Sequence, residues 1–149
     1  MLFLKKSIVI NAPAEKVFAY VTEPTTMPDW FPGGVEVRNV MGSGEGQQYE
    51  WTHKYVGILL RGQTTVVEHV PNKRSVHQSI GTISSVWTFS VEPHEEGTTL
   101  TIEVEYNIPI PVLGKLAEPF VVKRDTRTLE SALANIEEML MSQVLHHAS

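Results

Sequence analysis

Alternation between apolar and polar residues dominates the middle of the chain. Over residues 35–107 the sequence falls into short runs of this kind, and turn-forming residues separate the runs. Strict alternation is typical of a strand with one buried face, and turns between neighbouring runs indicate hairpins. This segment is therefore predicted to form about six antiparallel strands. The breaks between the runs are at residues 42–46, Gly57, residues 71–73, Gly81 and residues 93–97.

The first part of the chain is organised differently. Residues 3–10 are predicted to form a strand, and Pro13 and Glu15 then provide helix-start signals. Three prolines in the next stretch limit the segment around Trp30 and Phe31 to a helical turn with a loop. Two short helices are therefore expected after the first strand.

The C-terminal part has the period of a long helix. One stripe of apolar residues repeats at intervals of four, three and four: Leu129, Leu133, Ile136 and Leu140. Extended toward the N-terminus the stripe reaches Val122, but the intervening turn offers Asp125 and Thr126, so the apolar seam is interrupted there. Residues 107–119 contain three prolines and Gly114 and are predicted to form a loop.

These elements together predict a fold of the α+β class. One long helix packs across a curled antiparallel sheet of about seven strands, and two short helices follow the first strand. Because neighbouring residues of a strand point to opposite faces, parity predicts which side chains face the helix. The residues predicted to face inward are Tyr49, Trp51, His53 and Tyr55; Ile58, Leu60, Gly62, Thr64 and Val66; Val76, Gln78 and Ile80; Ser85, Trp87, Phe89 and Val91; and Leu100, Ile102, Val104 and Tyr106. In this prediction Gln78 is a polar residue of the interior.

The predicted interior is unusually rich in side chains with a polar tip. It holds three tyrosines, two tryptophans, a histidine and a glutamine, which suit a lined cavity better than a dry core. In the alternative interpretation the rings fill the space and their polar tips reach water at the rim of the sheet. The interrupted seam at Asp125 and Thr126 favours the cavity, because a curled sheet lifts one end of the helix away.

Length and composition fit one domain over residues 1–149. Of the 149 residues 42% are hydrophobic and 19% are charged, which is enough to bury a core without disulfides, and the chain has no cysteine. A net charge of -5 argues against a nucleic-acid surface, which needs clustered basic residues. The sequence has neither a membrane-spanning stretch nor the features of a signal peptide. We therefore expect a cytoplasmic monomer or homodimer.

The sequence lacks the motifs of several reaction classes. The sequence has no nucleophile elbow, and its glycine-rich segment at residues 42–46 precedes a strand rather than a helix, unlike a phosphate loop. The histidines of the predicted sheet are on separate strands, so neither a metal nor another cofactor is expected. Proton transfer by His53 or Asp125 remains open. Each also has a structural interpretation, His53 as a hydrogen-bonded rim residue and Asp125 as a partner of the helix dipole and of nearby basic residues.

Five segments of the chain occur in a characteristic order and spacing: INAPAEKVFAYVTEP, MPDWFPG, VEHVPNKRSV, GTTLTIEVEYNIP and LESALANIEEML. Together they resemble the START-related (SRPBCC) superfamily, which includes polyketide cyclase/dehydrase and lipid-transport proteins. The resemblance covers nearly the whole chain. It implies the helix-grip fold, in which a curved antiparallel sheet surrounds a long C-terminal helix with a hydrophobic cavity between them. Binding of a lipid, a polyketide or a quinone-like molecule is what the resemblance implies about function, and the fold alone does not choose among these.

Three functional hypotheses follow. In the first, the protein binds a hydrophobic small molecule in the cavity. In the second, it is a cyclase/dehydrase-type enzyme that acts on a polyketide-like or ketone substrate there, through His53 or Asp125. In the third, an exposed loop with Trp30 and Phe31 docks a partner protein. The residues predicted to bind the small molecule are Trp30, Tyr49, Trp51, His53, Gln78, Trp87, Phe89, Tyr106, Val122, Asp125 and Thr126.

Overall fold

The computed structural model describes residues 1–55, 57–107 and 118–148. Three helices and seven strands make up these ranges, and a 3-10 turn over Pro24–Thr26 precedes the second helix. The helices are α1 (Ala14–Thr22), α2 (Met27–Trp30) and α3 (Glu118–Ala148). The strands are β1 (Leu2–Ile10), β2 (Glu36–Met41), β3 (Gln48–Tyr55), β4 (Ile58–Val70), β5 (Arg74–Gly81), β6 (Ser85–His94) and β7 (Gly97–Tyr106).

The seven strands form one antiparallel sheet. Their order is β1-β7-β6-β5-β4-β3-β2, so β2 to β7 lie side by side in chain order, as hairpins require. β1 pairs with β7 at the far edge, from Leu2 opposite Tyr106 to Ile10 opposite Thr98. The sheet is curved around α3, and the two short helices follow β1. The predicted α+β helix-grip fold is therefore confirmed.

Hydrogen bonds from side chains hold the short helices in place. Thr98 Oγ1, at the start of β7, donates to the carbonyl oxygen of Ala12 at 2.7 Å and so fixes the chain just before α1. Asn135 Nδ2, on α3, donates to the carbonyl oxygen of Trp30 at 3.1 Å. This second bond ties the end of α2 to the long helix. The loop after α2 therefore starts from a fixed point beside α3.

The core lies between α3 and the inner face of the sheet. The predicted stripe of α3 is buried, together with Ala132. On the sheet side, Leu100, Ile102, Val104 and Tyr106 of β7 are all buried, as their parity predicts. In β4, Leu60, Thr64 and Val66 are buried as predicted, whereas Ile58 at the first position of the strand is exposed.

The predicted inward face of β5 is wrong for Gln78 and Ile80. Gln78 is exposed and Ile80 is 67% exposed, whereas Val76 is buried, and the inward row carries Ser75, His77 and Ser79. Residues directly opposite each other in an antiparallel pair point to the same face. The inward parity of the neighbouring strands therefore fixes that of β5. His77 lies opposite Val66 of β4 and Trp87 of β6, and Ser79 lies opposite Thr64 and Ser85.

Two further expectations concern the loop between the sheet and α3 and the lack of a membrane-spanning stretch. Most of the loop predicted over residues 107–119 lies outside the described residues. In the part of the chain that the structure covers, no helix combines the length and the hydropathy needed to cross a bilayer.

Candidate functional site

A pocket of about 250 Å³ lies between the inner face of the sheet, the N-terminal half of α3 and the loop that follows α2. Strands β3 to β7 all contribute to its walls. Most of the lining side chains are apolar or aromatic, and several of the polar ones belong to two clusters described below. The lining residues are Leu4, Met27, Phe31, Pro32, Gly33, Val35, Tyr49, Trp51, His53, Lys54, Tyr55, Leu60, Thr64, His77, Ser79, Ile83, Ser85, Trp87, Phe89, Val104, Tyr106, Arg124, Asp125, Thr128 and Leu129.

Aromatic rings form one wall of the pocket. Trp87 and Phe89 are alternate residues of β6, and their rings stack at a centroid distance of 6.1 Å with 24° between the planes. Phe31, from the loop after α2, meets the Trp87 ring edge-on at 5.6 Å. Edge-on and offset contacts are the favoured aromatic geometries, so the three rings support one another. This arrangement gives the pocket a rigid apolar surface.

A chain of buried polar side chains lies along the inner end of the pocket. The Tyr49 hydroxyl is hydrogen bonded to His77 Nδ1 at 3.0 Å, and His77 Nε2 to Ser75 Oγ at 2.9 Å. Ser75 Oγ is in turn bonded to His69 Nδ1 at 3.1 Å. Burial lowers the pKa of His77 to about 4, and the neighbouring His69 acts in the same direction. At neutral pH His77 is therefore uncharged and bridges Tyr49 and Ser75 as donor on one nitrogen and acceptor on the other.

Trp51 crosses the floor of the pocket because its neighbour on β4 is a glycine. A Cβ atom at Gly62 would stand 2.7 Å from Trp51 Cζ2, closer than real Cβ contacts. The glycine thus leaves room for the indole, whose Nε1 donates to Ser79 Oγ at 2.7 Å. This bond satisfies the indole N–H and the Ser79 hydroxyl without water.

A second polar cluster lies where α3 meets the pocket. The Tyr55 hydroxyl donates to both carboxylate oxygens of Asp125, at 3.2 and 3.0 Å, and the Tyr106 hydroxyl donates to Oδ2 of the same carboxylate. Burial raises the pKa of both tyrosines, and the Asp125 carboxylate raises them further. Both phenols therefore stay protonated and act as donors. The Arg124 guanidinium lies over the Tyr55 ring, with Cζ 5.2 Å from its centroid.

His53 borders this cluster. Its ring meets the Phe31 ring edge-on at 5.0 Å, and a Cβ atom at Gly33 would stand 2.9 Å from its Nε2. Gly33 also has a φ of +97°, so the turn at the pocket rim needs a glycine for two reasons. Burial lowers the pKa of His53, and Arg124 contributes in the same direction, whereas the Pro32 carbonyl and Asp125 oppose the shift.

Most of the residues predicted to bind a ligand are brought together by the fold. The pocket contains Tyr49, Trp51, His53, Trp87, Phe89, Tyr106 and Asp125. The other four lie elsewhere. Gln78 is on the outer face of β5, and Val122 packs against the core beside the pocket. Thr126 follows Asp125 on α3, so its side chain projects from the helix in a different direction. Its Oγ1 donates to the Val122 carbonyl at 2.7 Å.

Trp30 is not the exposed docking residue of the third hypothesis. It is 1% exposed, and its Nε1 donates to Thr26 Oγ1 at 3.2 Å. Phe31 is half-buried and lines the pocket instead of extending into solvent. The exposed aromatic loop expected there is wrong, because the turn over Pro24–Thr26 and the contact with α3 direct both rings inward.

Several pocket residues were absent from the predicted set. His77 and Ser79 were missed because β5 was assigned the opposite parity. Tyr55 was predicted to face inward, and its parity with His53 was the available signal. Phe31 and Arg124 carry no such signal, because a loop and a helix end converge on the pocket only through tertiary packing.

The described residues hold no group of three or more histidine, cysteine or carboxylate side chains arranged to bind a metal. The side chains that line the pocket offer hydrogen bonds, aromatic contacts and groups that can exchange protons.

Solved structures from several bacteria share this fold. TTHA0849 from Thermus thermophilus superimposes with a TM-score of 0.83 at 23% identity, covering 95% of this chain and 99% of that one. CV1439 from Chromobacterium violaceum has a TM-score of 0.68 at 20% identity and covers 92% and 99%. Ms6760 from Mycobacterium smegmatis has a TM-score of 0.71 at 14% identity and covers 95% and 92%. At these identities the likeness shows the fold.

Curated proteins provide no match to the sequence. A family model does match, over residues 1–140, and it describes polyketide cyclase/dehydrase and lipid-transport proteins. The match spans the whole sheet and most of α3, and it agrees with the resemblance found in the five sequence segments. The chain therefore belongs to the polyketide cyclase/dehydrase and lipid transport family.

Proposed function

We propose that this protein binds a small, mostly apolar molecule in the pocket between the sheet and α3. The observation that carries the proposal is the pocket itself, which has an aromatic wall and contains two clusters of hydrogen-bonded polar side chains. Ligand sites typically combine such a concave apolar surface with a few well-placed polar groups. A family described by lipid transport and polyketide chemistry is consistent with an apolar ligand.

The volume of the pocket limits the size of the ligand. A cavity of roughly 150 Å³ holds benzene, and pockets for drug-sized ligands span roughly 300–1,000 Å³. The pocket here, at about 250 Å³, falls between these two cases. One ring or two fused rings fill this space, whereas the chains of a two-chain lipid would extend out of its open side. We therefore favour a compact polyketide-like or quinone-like ligand over a membrane lipid.

The two ends of the pocket give the ligand an orientation. Trp51, Trp87 and Phe89 offer the apolar contact area along its length. At the α3 end, His53 and Asp125 are the groups that recognise a hydroxyl or a carbonyl. We therefore place a polar atom of the ligand at this end of the pocket, near His53 and Asp125.

Filling the pocket tests the proposal. Ser85 lines the pocket, and its neighbour Val86 has the opposite parity on β6. We expect Ser85→Phe to lower the affinity for 2-naphthol at least about tenfold, because tenfold corresponds to about 1.4 kcal/mol and the added ring takes up ligand space. Isothermal titration calorimetry of both variants and the wild type measures this. Val86→Phe is the matched control and is expected to bind as the wild type does. Equal affinity in all three proteins would contradict the proposal.

The alternative function is a cyclase/dehydrase-type enzyme, and the Asp125 cluster favours it. A carboxylate beside a bound ketone can remove a proton from the adjacent carbon and form an enolate. The Tyr55 or Tyr106 hydroxyl, which donates to Asp125 in the structure, can turn to the enolate oxygen once Asp125 has taken up the proton. Return of the proton to the carbon completes an exchange that consumes no other reactant.

Hydrogen exchange in D2O distinguishes turnover from binding. We expect an enzyme of this kind to accelerate deuterium incorporation beside the carbonyl of 2-tetralone, followed by NMR, by about 100-fold or more over buffer. Asp125→Asn keeps the shape of the side chain and is expected to abolish the acceleration. If 2-tetralone binds but exchanges at the buffer rate in the wild type, the protein is a binding protein and the enzyme hypothesis is wrong.

A further inference from the structure

A shallow groove continues from the pocket along the outside of α3. It shares Arg124 and Thr128 with the pocket, so the two spaces meet at these residues. The groove is also lined by Lys123, Arg127 and Phe120. Phe120 is 76% exposed, which is unusual for a ring of this size. A molecule that fills the pocket and extends past Thr128 therefore reaches a surface with basic side chains.

The charge of this groove is opposite to that of the whole chain. The protein carries a net charge of -5, yet Lys123, Arg124 and Arg127 stand within five consecutive residues of α3. Among the described residues, no acidic side chain lines the groove, and none of the three basic groups has a carboxylate within 4 Å. Like charges placed so close together repel each other, and a bound anion relieves the repulsion.

Arg124 connects the groove to the interior. Its guanidinium lies over the Tyr55 ring at the pocket mouth, 5.2 Å from the centroid. Asp125, the next residue on α3, directs both carboxylate oxygens to the Tyr55 and Tyr106 hydroxyls. Asp125 is thus engaged from the pocket side, and among the described residues Arg124 forms no ion pair with a carboxylate, so its charge is available to an anionic partner. Guanidinium groups match the planar geometry of a carboxylate or the oxygens of a phosphate.

We infer that the ligand is an amphipathic anion, whose apolar rings occupy the pocket and whose carboxylate or phosphate is held at the mouth by Arg124 and Arg127. This inference rests on the proposed function, since it assigns the charge of the ligand that the pocket binds. The basic groove also attracts anions toward the mouth over a range set by ionic strength. The polar end of the ligand then lies beside the Asp125 cluster without entering it.

A matched pair of ligands separates this inference from the proposed function. 2-Naphthoate carries a carboxylate, and 2-naphthamide has nearly the same shape without the charge. We expect the wild type to bind 2-naphthoate about tenfold more tightly in low salt, with the difference reduced in high salt. The double variant Arg124→Gln/Arg127→Gln is expected to lose this preference, because its affinity for 2-naphthoate falls about tenfold more than its affinity for 2-naphthamide. Lys16→Gln/Lys73→Gln removes two exposed charges elsewhere and is expected to bind as the wild type does.

Each other outcome overturns the inference in a recognisable way. Equal binding of the two ligands by the wild type leaves the proposed function intact and removes the role of the charge. Equal weakening of both ligands in the double variant shows that the arginines act through structure. Failure of the wild type to bind either ligand contradicts the proposed function as well.

A lipid surface is the competing occupant of the basic groove. Sedimentation with vesicles of phosphatidylserine and phosphatidylcholine, compared with phosphatidylcholine alone, tests it. We expect neither vesicle to retain the protein, because the arginines face a ligand of pocket size. Retention by the phosphatidylserine vesicles that the double variant loses, together with no preference for 2-naphthoate, would assign the groove to membranes and overturn the inference.

Discussion

Phe89→Ala is expected to lower the free energy of unfolding by about 3–5 kcal/mol, the cost typical of removing a large buried ring. Phe89 is 1% exposed, and its ring contacts Trp30, His77 and Trp87 at centroid distances of 6.3, 5.1 and 6.1 Å. It therefore joins the core under α2 to the aromatic wall of the pocket. Removing it leaves a space that rigid neighbours cannot close, so the loss includes the cost of the cavity. Urea denaturation followed by circular dichroism measures the change.

The control for this prediction is Phe3→Ala. Phe3 is 58% exposed on β1, and its removal is expected to change the free energy of unfolding by no more than about 0.5 kcal/mol. If Phe89→Ala unfolds before it can be measured, Phe89→Leu retains part of the volume and is expected to lose less. A loss below about 1 kcal/mol in Phe89→Ala would contradict the central position of this ring.

His77 is expected to make stability fall steeply between pH 6.5 and pH 4. Burial lowers its pKa in the folded protein to about 4, whereas the unfolded chain has the ordinary value near 6.5. Between these values the unfolded chain takes up a proton that the folded protein does not. The free energy of unfolding therefore decreases as the pH falls, by up to about 1.4 kcal/mol per pH unit. Below pH 4 both states are protonated and His77 causes no further loss.

The variant His77→Gln isolates this contribution. Its side chain can still hydrogen bond to Tyr49 and Ser75 but does not titrate, so the difference in stability between the wild type and the variant should change across the window. His94→Gln, at an exposed position of β6, is expected to retain the pH dependence of the wild type. Parallel curves for the wild type and His77→Gln would show that His77 is protonated equally in both states, contrary to the structure.

The long helix and most of the sheet could be predicted because each has one clear periodicity. The leucine and isoleucine stripe of α3 is strictly helical, and in β7 the large apolar residues alternate with threonine and glutamate. Here local pattern and final environment agree, as they do in sequences that fold to one structure. The family resemblance and the hydrophobic pattern led independently to the same architecture.

The parity of β5 could not be predicted in this way. Val76 and Ile80 favour one face on hydrophobicity, but the inward face carries His77 and Ser79. The register of β5 with β4 and β6 determines which of its residues face inward. That register depends on pairing between distant parts of the chain. The buried polar row is tolerated because Tyr49, Trp51 and Ser75 provide its hydrogen bonds.

The residues of the pocket also divide into those that the sequence pattern predicts and those that it does not. Residues on well-patterned strands, such as Trp51 and Trp87, could be assigned to the pocket from parity alone. Arg124 and Phe31 could not, because their positions depend on where α3 and the loop after α2 approach the sheet. That approach is fixed by contacts such as the bond from Asn135 to the Trp30 carbonyl, which no local pattern predicts.

The tryptophan indole N–H signals in a proton–nitrogen NMR spectrum test the central claim most directly. Trp51 and Trp87 line the pocket, and Trp30 lies in the core with its N–H bonded to Thr26. On titration with 2-naphthol, we expect saturable shifts of the Trp51 and Trp87 signals and a much smaller shift of the Trp30 signal. Unchanged Trp51 and Trp87 signals at saturating 2-naphthol would contradict the claim that this pocket binds small apolar molecules.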